Sequence, residues 1–168
     1  QGSDESAPFA DMSGTAQAWG VPLFLGEWGA PPSTDQVRGY LGAIGRQLDL
    51  ALASSAQWAY TPGWTPAAKD GWNAEDFSIV DDTGTLRANF VARPYARRIA
   101  GTPTALTVGD EAAPKKNALQ LGWTNDPAAG ATEIFAPAAW FGGAVAIEAD
   151  GDVTCTAGGD VVSCSSPT

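Results

Sequence analysis

Apolar residues are arranged in two ways along this chain: a long run followed by a helical stripe in the first part, and short β-prone runs between turns in the last. The run Val21-Pro22-Leu23-Phe24-Leu25 meets nothing charged until Glu27, which stands between Gly26 and Trp28-Gly29. Such a run predicts a strand buried on both faces of a parallel sheet rather than an alternating, half-exposed one. Pro31-Pro32-Ser33-Thr34-Asp35-Gln36 then predicts the start of a helix, with Ser33 as N-cap and Gln36 at the reciprocal capping-box position. Val37, Leu41, Ile44, Leu48 and Leu52 follow at spacings of four, three, four and four. They draw one apolar stripe along roughly five turns, with Arg38, Arg46 and Asp49 facing away. Ser54–Tyr60 reads as a second short strand. Strand, helix and strand make one βαβ unit joined by a right-handed crossover. Alone, that unit leaves both sheet edges open and one face bare, so its remaining strands are expected from sequence outside these residues.

Beyond Tyr60 the pattern loosens into a long loop carrying Trp64 and Trp72; segments so long and aromatic are either functional or packed Ω-loops. Asp81-Asp82-Thr83-Gly84 is a turn. Arg93–Gly101 predicts a short helix, with Pro94 in its first turn, Gly101 past its end and Pro103 closing it. From Thr104 the texture becomes β-prone at Ala105–Val108, Ala118–Trp123, Thr132–Phe135, Val145–Glu148, Val153–Thr156 and Val161–Ser163, which suggests an antiparallel sandwich. The expected fold class is therefore α/β plus all-β, with one domain over 1–103, of which 1–16 is a flexible start, and a second over 104–168.

Composition narrows the chemistry. Nine Lys plus Arg against 19 Asp plus Glu give a net charge of −10, which argues against nucleic acid or an anionic membrane surface as partner. The chain has no His, so it holds no imidazole base, no His-based triad and no HExxH zinc site; no metal or other cofactor is expected. Seven Trp are a resource for stacking on something flat and uncharged, such as a sugar ring. No apolar run is long enough to span a bilayer, so stable membrane insertion is not expected. The polar start Gln1-Gly2-Ser3-Asp4-Glu5-Ser6, with no initiator Met, reads as a chain beginning inside a longer product.

Two features carry chemistry. Glu27 lies at the carboxyl end of its strand, where parallel sheets and barrels display catalytic groups, and it is the candidate nucleophile. The run by itself is equally compatible with a carboxylate that caps the strand and pairs with an Arg. Cys155 and Cys164 flank Gly158-Gly159, and a hairpin turning there would bring their sulfurs together across adjacent strands. A bridge favours an exported, extracellular protein, whereas two buried thiols would suit the cytosol.

Leu25-Gly26-Glu27-Trp28-Gly29, with Trp58 31 residues beyond Glu27, resembles the end of a glycoside hydrolase family 5 barrel. Arg93-Pro94-Tyr95, Ile99-Ala100-Gly101-Thr102-Pro103 and Thr132-Glu133-Ile134-Phe135-Ala136-Pro137 narrow the likeness to the endoglycoceramidases. The resemblance implies strands seven and eight, with their helices, of a (β/α)8 TIM barrel that an N-terminal fragment of the same enzyme completes, followed by a small β-sandwich. It implies retaining cleavage of the β-glycosidic bond between oligosaccharide and ceramide in glycosphingolipids. Glu27 would be the nucleophile and Trp58 the platform under the sugar, while Tyr60, Trp64 and Trp72 would extend the platform or form the lipid-accepting groove. Trp28 alternates to the other side of the strand and is expected to pack; Trp19, Trp123 and Trp140 are expected to be structural. The family's acid/base is a Glu preceded by Asn, and no Asn-Glu dipeptide occurs here, so the partner fragment must supply it.

Two other readings share these residues. One keeps barrel and nucleophile but exchanges the substrate for a β-glucan or β-mannan, for which a row of sugar-stacking aromatics would replace the groove for alkyl chains. The other is a non-catalytic carbohydrate-binding fragment, in which Trp123 and Trp140 of the sandwich would carry the activity.

Overall fold

The computed structural model describes residues 4–33, 36–69, 74–109 and 117–166, which fall into two compact units, Gln1–Val91 and Ala92–Thr168. The first unit opens with a helix, α1 (Ser6–Trp19), where a flexible start was expected. Its only buried residue is Phe9, which packs with Met12 against the second helix. Two apolar anchors in an Ala- and Ser-rich segment are too sparse a stripe for periodicity to reveal. Gly20, left-handed at φ 66°, ends α1 by donating its N–H to Gln17 O.

β1 (Phe24–Trp28) and β2 (Ser54–Gln57) pair in parallel, and α2 (Val37–Leu50) is the crossover between them. The βαβ expectation holds, with corrections at the helix ends. Ser33 and Gln36 form no capping box: Gln36 is the N-cap but makes no side-chain cap bond. Just before the helix, Pro32 O accepts from Asn89 Nδ2 at 2.9 Å. At the other end Leu52 sits at φ 50°, so it terminates the helix and does not extend the stripe. Asp49 is buried at 5 % exposure rather than facing away; a helix packed on both the strands and α1 buries a face wider than one line of residues. Phe9, Ile44 and Leu48 form the core, lined by Met12, Leu25, Trp28, Tyr40, Ala51 and Ala53.

The second unit is antiparallel. β3 (Tyr95–Arg98), β6 (Thr132–Phe135), β8 (Val161–Ser165) and β7 (Thr154–Gly158) lie in that order in one sheet, and β4 (Gly101–Val108) pairs with β5 (Leu119–Asn125) in another. The short helix expected over 93–101 is a strand. Tyr95 stands opposite Phe135, with ring centroids 5.4 Å apart, and a single turn of helix could not compete with that pairing. Because β3 belongs to this sheet, the division between units falls at Val91/Ala92 rather than at residue 103. No strand forms at Val145–Glu148; α3 (Ala138–Phe141) and the irregular chain after it instead deliver Phe141 and Val145 to a core built on Ala136, Val162 and Cys164. Trp123 lines that core, in line with a structural role.

Cys155 and Cys164 face each other on β7 and β8 and form a disulfide of 2.07 Å. The turn joining them is Gly159-Asp160, one residue later than expected, with Gly159 at φ 60° supplying the left-handed position that a two-residue hairpin loop needs.

Candidate functional site

Glu27 owes its setting to an extra residue in β1. Leu25 pairs with Ser55 and Trp28 with Gln57, so β1 takes three steps where β2 takes two. A bulge of this kind re-aims the side chain it carries. Leu25 and Trp28 both pack on the α2 core, which strict alternation would forbid, and Glu27 is left exposed between them. Among the described residues no hydrogen bond or ion pair reaches its carboxylate. Trp28 is structural, as expected, and its Nε1 is buried without a hydrogen-bond acceptor.

Trp58 follows directly on β2, so it stands beside the end of β1. Its N–H donates to Trp28 O at 2.7 Å. Its carbonyl lies over Gly29: a Cβ there would sit 2.1 Å from Trp58 O and 3.4 Å from Phe77 Cδ1. Only glycine permits this approach. Gly29 is a site residue that sequence reading passed over, although its place two residues after Glu27 was the available signal. The Trp58–Ala59 peptide is cis. Ala59 is then gripped on both sides, its N–H donating to Phe77 O at 3.1 Å and its O accepting from Ile79 N at 2.9 Å.

Past the loop that follows Tyr60, Ile79–Arg87 fold into a hairpin about the expected turn at Asp81–Gly84. Val80 bridges Leu86, Asp81 N donates to Thr85 O at 2.9 Å, and Arg87 N donates to Ile79 O at 3.0 Å. Buried Ser78 Oγ ties the hairpin back to Thr61 O at 3.1 Å. Tyr60 is 65 % exposed. Trp64 is committed to the loop: its Nε1 donates to Glu75 O at 2.8 Å, and the Arg87 guanidinium stacks 5.0 Å from its ring centre. Nη1 of Arg87 also donates to both carboxylate oxygens of Asp76, 2.9 Å to each, in an ion pair. Nothing in the sequence pattern pointed to Arg87, because its partners are distributed through the loop. Trp72 lies outside the described residues.

Trp19, expected to be structural, is 75 % exposed and lines an open groove with Met12, Val21 and Phe24. Among the described residues no group of three His, Cys, Asp or Glu could hold a metal ion, and no helix is long and apolar enough to cross a membrane.

A parallel strand pair that ends in a bulged, exposed Glu beside a Trp, followed by an antiparallel sheet unit, defines the class to which the chain is compared. Residues 93–166 match the family model described as the glycoside hydrolase family 5 C-terminal domain. Over 95 % of its length the chain is similar to endo-glycoceramidase II from Rhodococcus sp., at 25 % identity and a TM-score of 0.66 in a five-membered iminocyclitol complex. It is similar to the same enzyme as a lactosyl-enzyme intermediate, at 26 % identity and a TM-score of 0.61. Sterylglucosidase 1 from Cryptococcus neoformans, at 17 % identity and a TM-score of 0.61 over 96 % of the chain, shares the fold. The chain spans about a third of the length of these proteins, 33 % of the first and 30 % of the last. No curated protein sequence matches it. The resemblance expected from the motifs around Glu27 and Tyr95 thus holds.

Proposed function

We propose that this chain supplies the nucleophile of a retaining endo-glycosidase that cleaves the β-glycosidic bond between oligosaccharide and ceramide in glycosphingolipids. The observation that carries the proposal is Glu27, exposed on a bulge at the carboxyl end of β1, with Trp58 at the end of the adjoining strand. The likeness to endo-glycoceramidase II, solved as a lactosyl-enzyme intermediate and in complex with ganglioside GM3, supports both the covalent route and the substrate class.

In this reading the Glu27 carboxylate attacks the anomeric carbon and forms a glycosyl ester, while the ceramide oxygen leaves as an alcohol by taking a proton from a second carboxyl about 5–5.5 Å away. Water, deprotonated by that second group, then attacks the same anomeric carbon, and the bond to Glu27 breaks to restore the free carboxylate. The indole of Trp58 would lie under the sugar and cover its apolar C–H face, and exposed Tyr60 would extend the contact. The second carboxyl comes from the N-terminal part of the same enzyme, whose strands would complete the barrel on the open edges of β1 and β2. The solvent exposure of Phe24, at 61 %, supports that assembly, since parallel strands are ordinarily covered on both faces. The Cys155–Cys164 bridge supports an exported enzyme.

The test is trapping with a 2-fluoro glycoside in the complete enzyme, followed by peptide mass analysis. A label on Glu27 is expected; a label on any other residue, or none, overturns the proposal.

A further inference from the structure

Arg87 lies outside every motif around Glu27, yet its side chain makes three kinds of contact at once. It holds both oxygens of Asp76 at 2.9 Å, it donates from Nε to Val80 O at 3.1 Å, and it stacks on Trp64 with its Cζ 5.0 Å from the ring centre. Asp76 and Val80 bracket Phe77, Ser78 and Ile79. Two of those three residues receive Ala59, through the Phe77 carbonyl and the Ile79 N–H. Trp64 reinforces the same bracket by donating to Glu75 O, directly before Asp76.

We propose that Arg87 is a positioning residue: it fixes the Phe77–Ile79 segment that grips Ala59, and thereby sets the orientation of Trp58 beside Glu27. The inference rests on the proposed role of Glu27 and Trp58 in glycoside cleavage. A planar guanidinium is suited to this task because it makes its bonds in one plane while offering a face to the indole. A Lys could keep one ion pair but could not span Asp76 and Val80 together. Trp58 is pinned upstream to β1 through Trp28 O; the Arg87 bracket is the matching constraint downstream.

The experiment is a double-mutant cycle in the complete enzyme, comparing wild type, Arg87→Gln, Trp58→Ala and the double variant in kcat, KM and the rate of 2-fluoro glycoside labelling. Arg87→Gln should lower kcat/KM and the labelling rate by roughly ten- to a hundredfold, the range expected when a substrate-positioning group is displaced. The same change in the Trp58→Ala background should cost almost nothing further, because both changes act through one side chain. Hydrogen exchange at the Ala59 amide should quicken in Arg87→Gln. Equal effects of Arg87→Gln in both backgrounds, or a loss confined to thermal stability with kcat and KM unmoved, would overturn the inference and leave the proposed function standing. If Arg87→Gln does not fold, Arg87→Lys replaces it in the same cycle and is judged by the same two outcomes. Should wild-type enzyme fail to label at Glu27, the proposed function falls and this inference falls with it.

Discussion

Gly29→Ala is the most direct probe of how Trp58 is held. The added methyl carbon would stand 2.1 Å from Trp58 O and 3.2 Å from Trp58 C, both backbone atoms that no side-chain rotation can move away. Carbon and oxygen approach to roughly 3.3–3.6 Å even in close C–H···O contacts, so the two chains must part by about 1 Å. Parting them stretches the 2.7 Å hydrogen bond from Trp58 N to Trp28 O. Relieving such overpacking costs about 1–3 kcal/mol of stability. A displacement of about 1 Å in a substrate-positioning group costs on the order of a hundredfold in rate. Chemical denaturation should therefore report a modest loss in the complete enzyme, and kcat/KM on a glycosphingolipid a much larger one. Gly39→Ala is the control: Gly39 lies in α2 with nothing within 4 Å of an added Cβ, and the change should stabilise the helix by about 0.5–1 kcal/mol with activity intact. Gly29→Ala with wild-type kcat/KM would refute the claim that this contact sets Trp58.

Replacing Glu27 by Gln should abolish turnover of the complete enzyme while leaving it folded, as a cooperative denaturation transition would show. Cys155→Ser with Cys164→Ser should destabilise the second unit by about 2–3 kcal/mol, as expected for opening a short disulfide loop, and the same loss should follow reduction in urea titrations. Asp81 accepts bonds from the Thr83 hydroxyl, Thr85 N–H and Thr83 N–H, which hold its carboxyl below the usual 3.8. A depressed folded value means that the turn's stabilisation is complete above pH 3.8 and fades as pH falls through the lower folded value, to be followed by carboxyl NMR in wild type and absent in Asp81→Asn. Glycan arrays probed with the second unit, Ala92–Thr168, should give no binding above background, since Trp123 is used in the core; clear binding would favour the non-catalytic reading.

The legible parts of the sequence were those where a local pattern and the tertiary contacts agree. The stripe from Val37 to Leu48 is the packing face of α2, and Thr132–Phe135 is a strand to the residue. The bridge between Cys155 and Cys164 follows from a hairpin whose turn the glycines announce. Illegible features had long-range causes. Tyr95–Arg98 has the local signals of a helix start, but Phe135, forty residues on, draws it into a sheet. Asp49 was assigned to solvent from its charge, and burial followed from α1, whose own two anchors were too few to be read as a stripe. Of the site, Glu27 and Trp58 were readable as residue types at strand ends, while the grip on Ala59 depends on pairings that no spacing rule encodes.

The bulge in β1 is what reconciles the two demands made on this strand. An unbroken alternation would set Leu25 and Glu27 on one face and Gly26 and Trp28 on the other, so that a strand burying Leu25 against α2 would drive a carboxylate into the same core. Burying it unpaired would cost several kcal/mol or neutralise it. One added residue between Leu25 and Trp28 resolves the conflict: both apolar side chains reach the core, and Glu27 is carried at the extra position, clear of it. The rigidity of the carboxylate then comes from its neighbours. Trp28 anchors one side in the core, and Gly29 presses the other against Trp58 O. The carboxylate is in this way held on a strand end by packing on either side of it, without a hydrogen bond among the described residues.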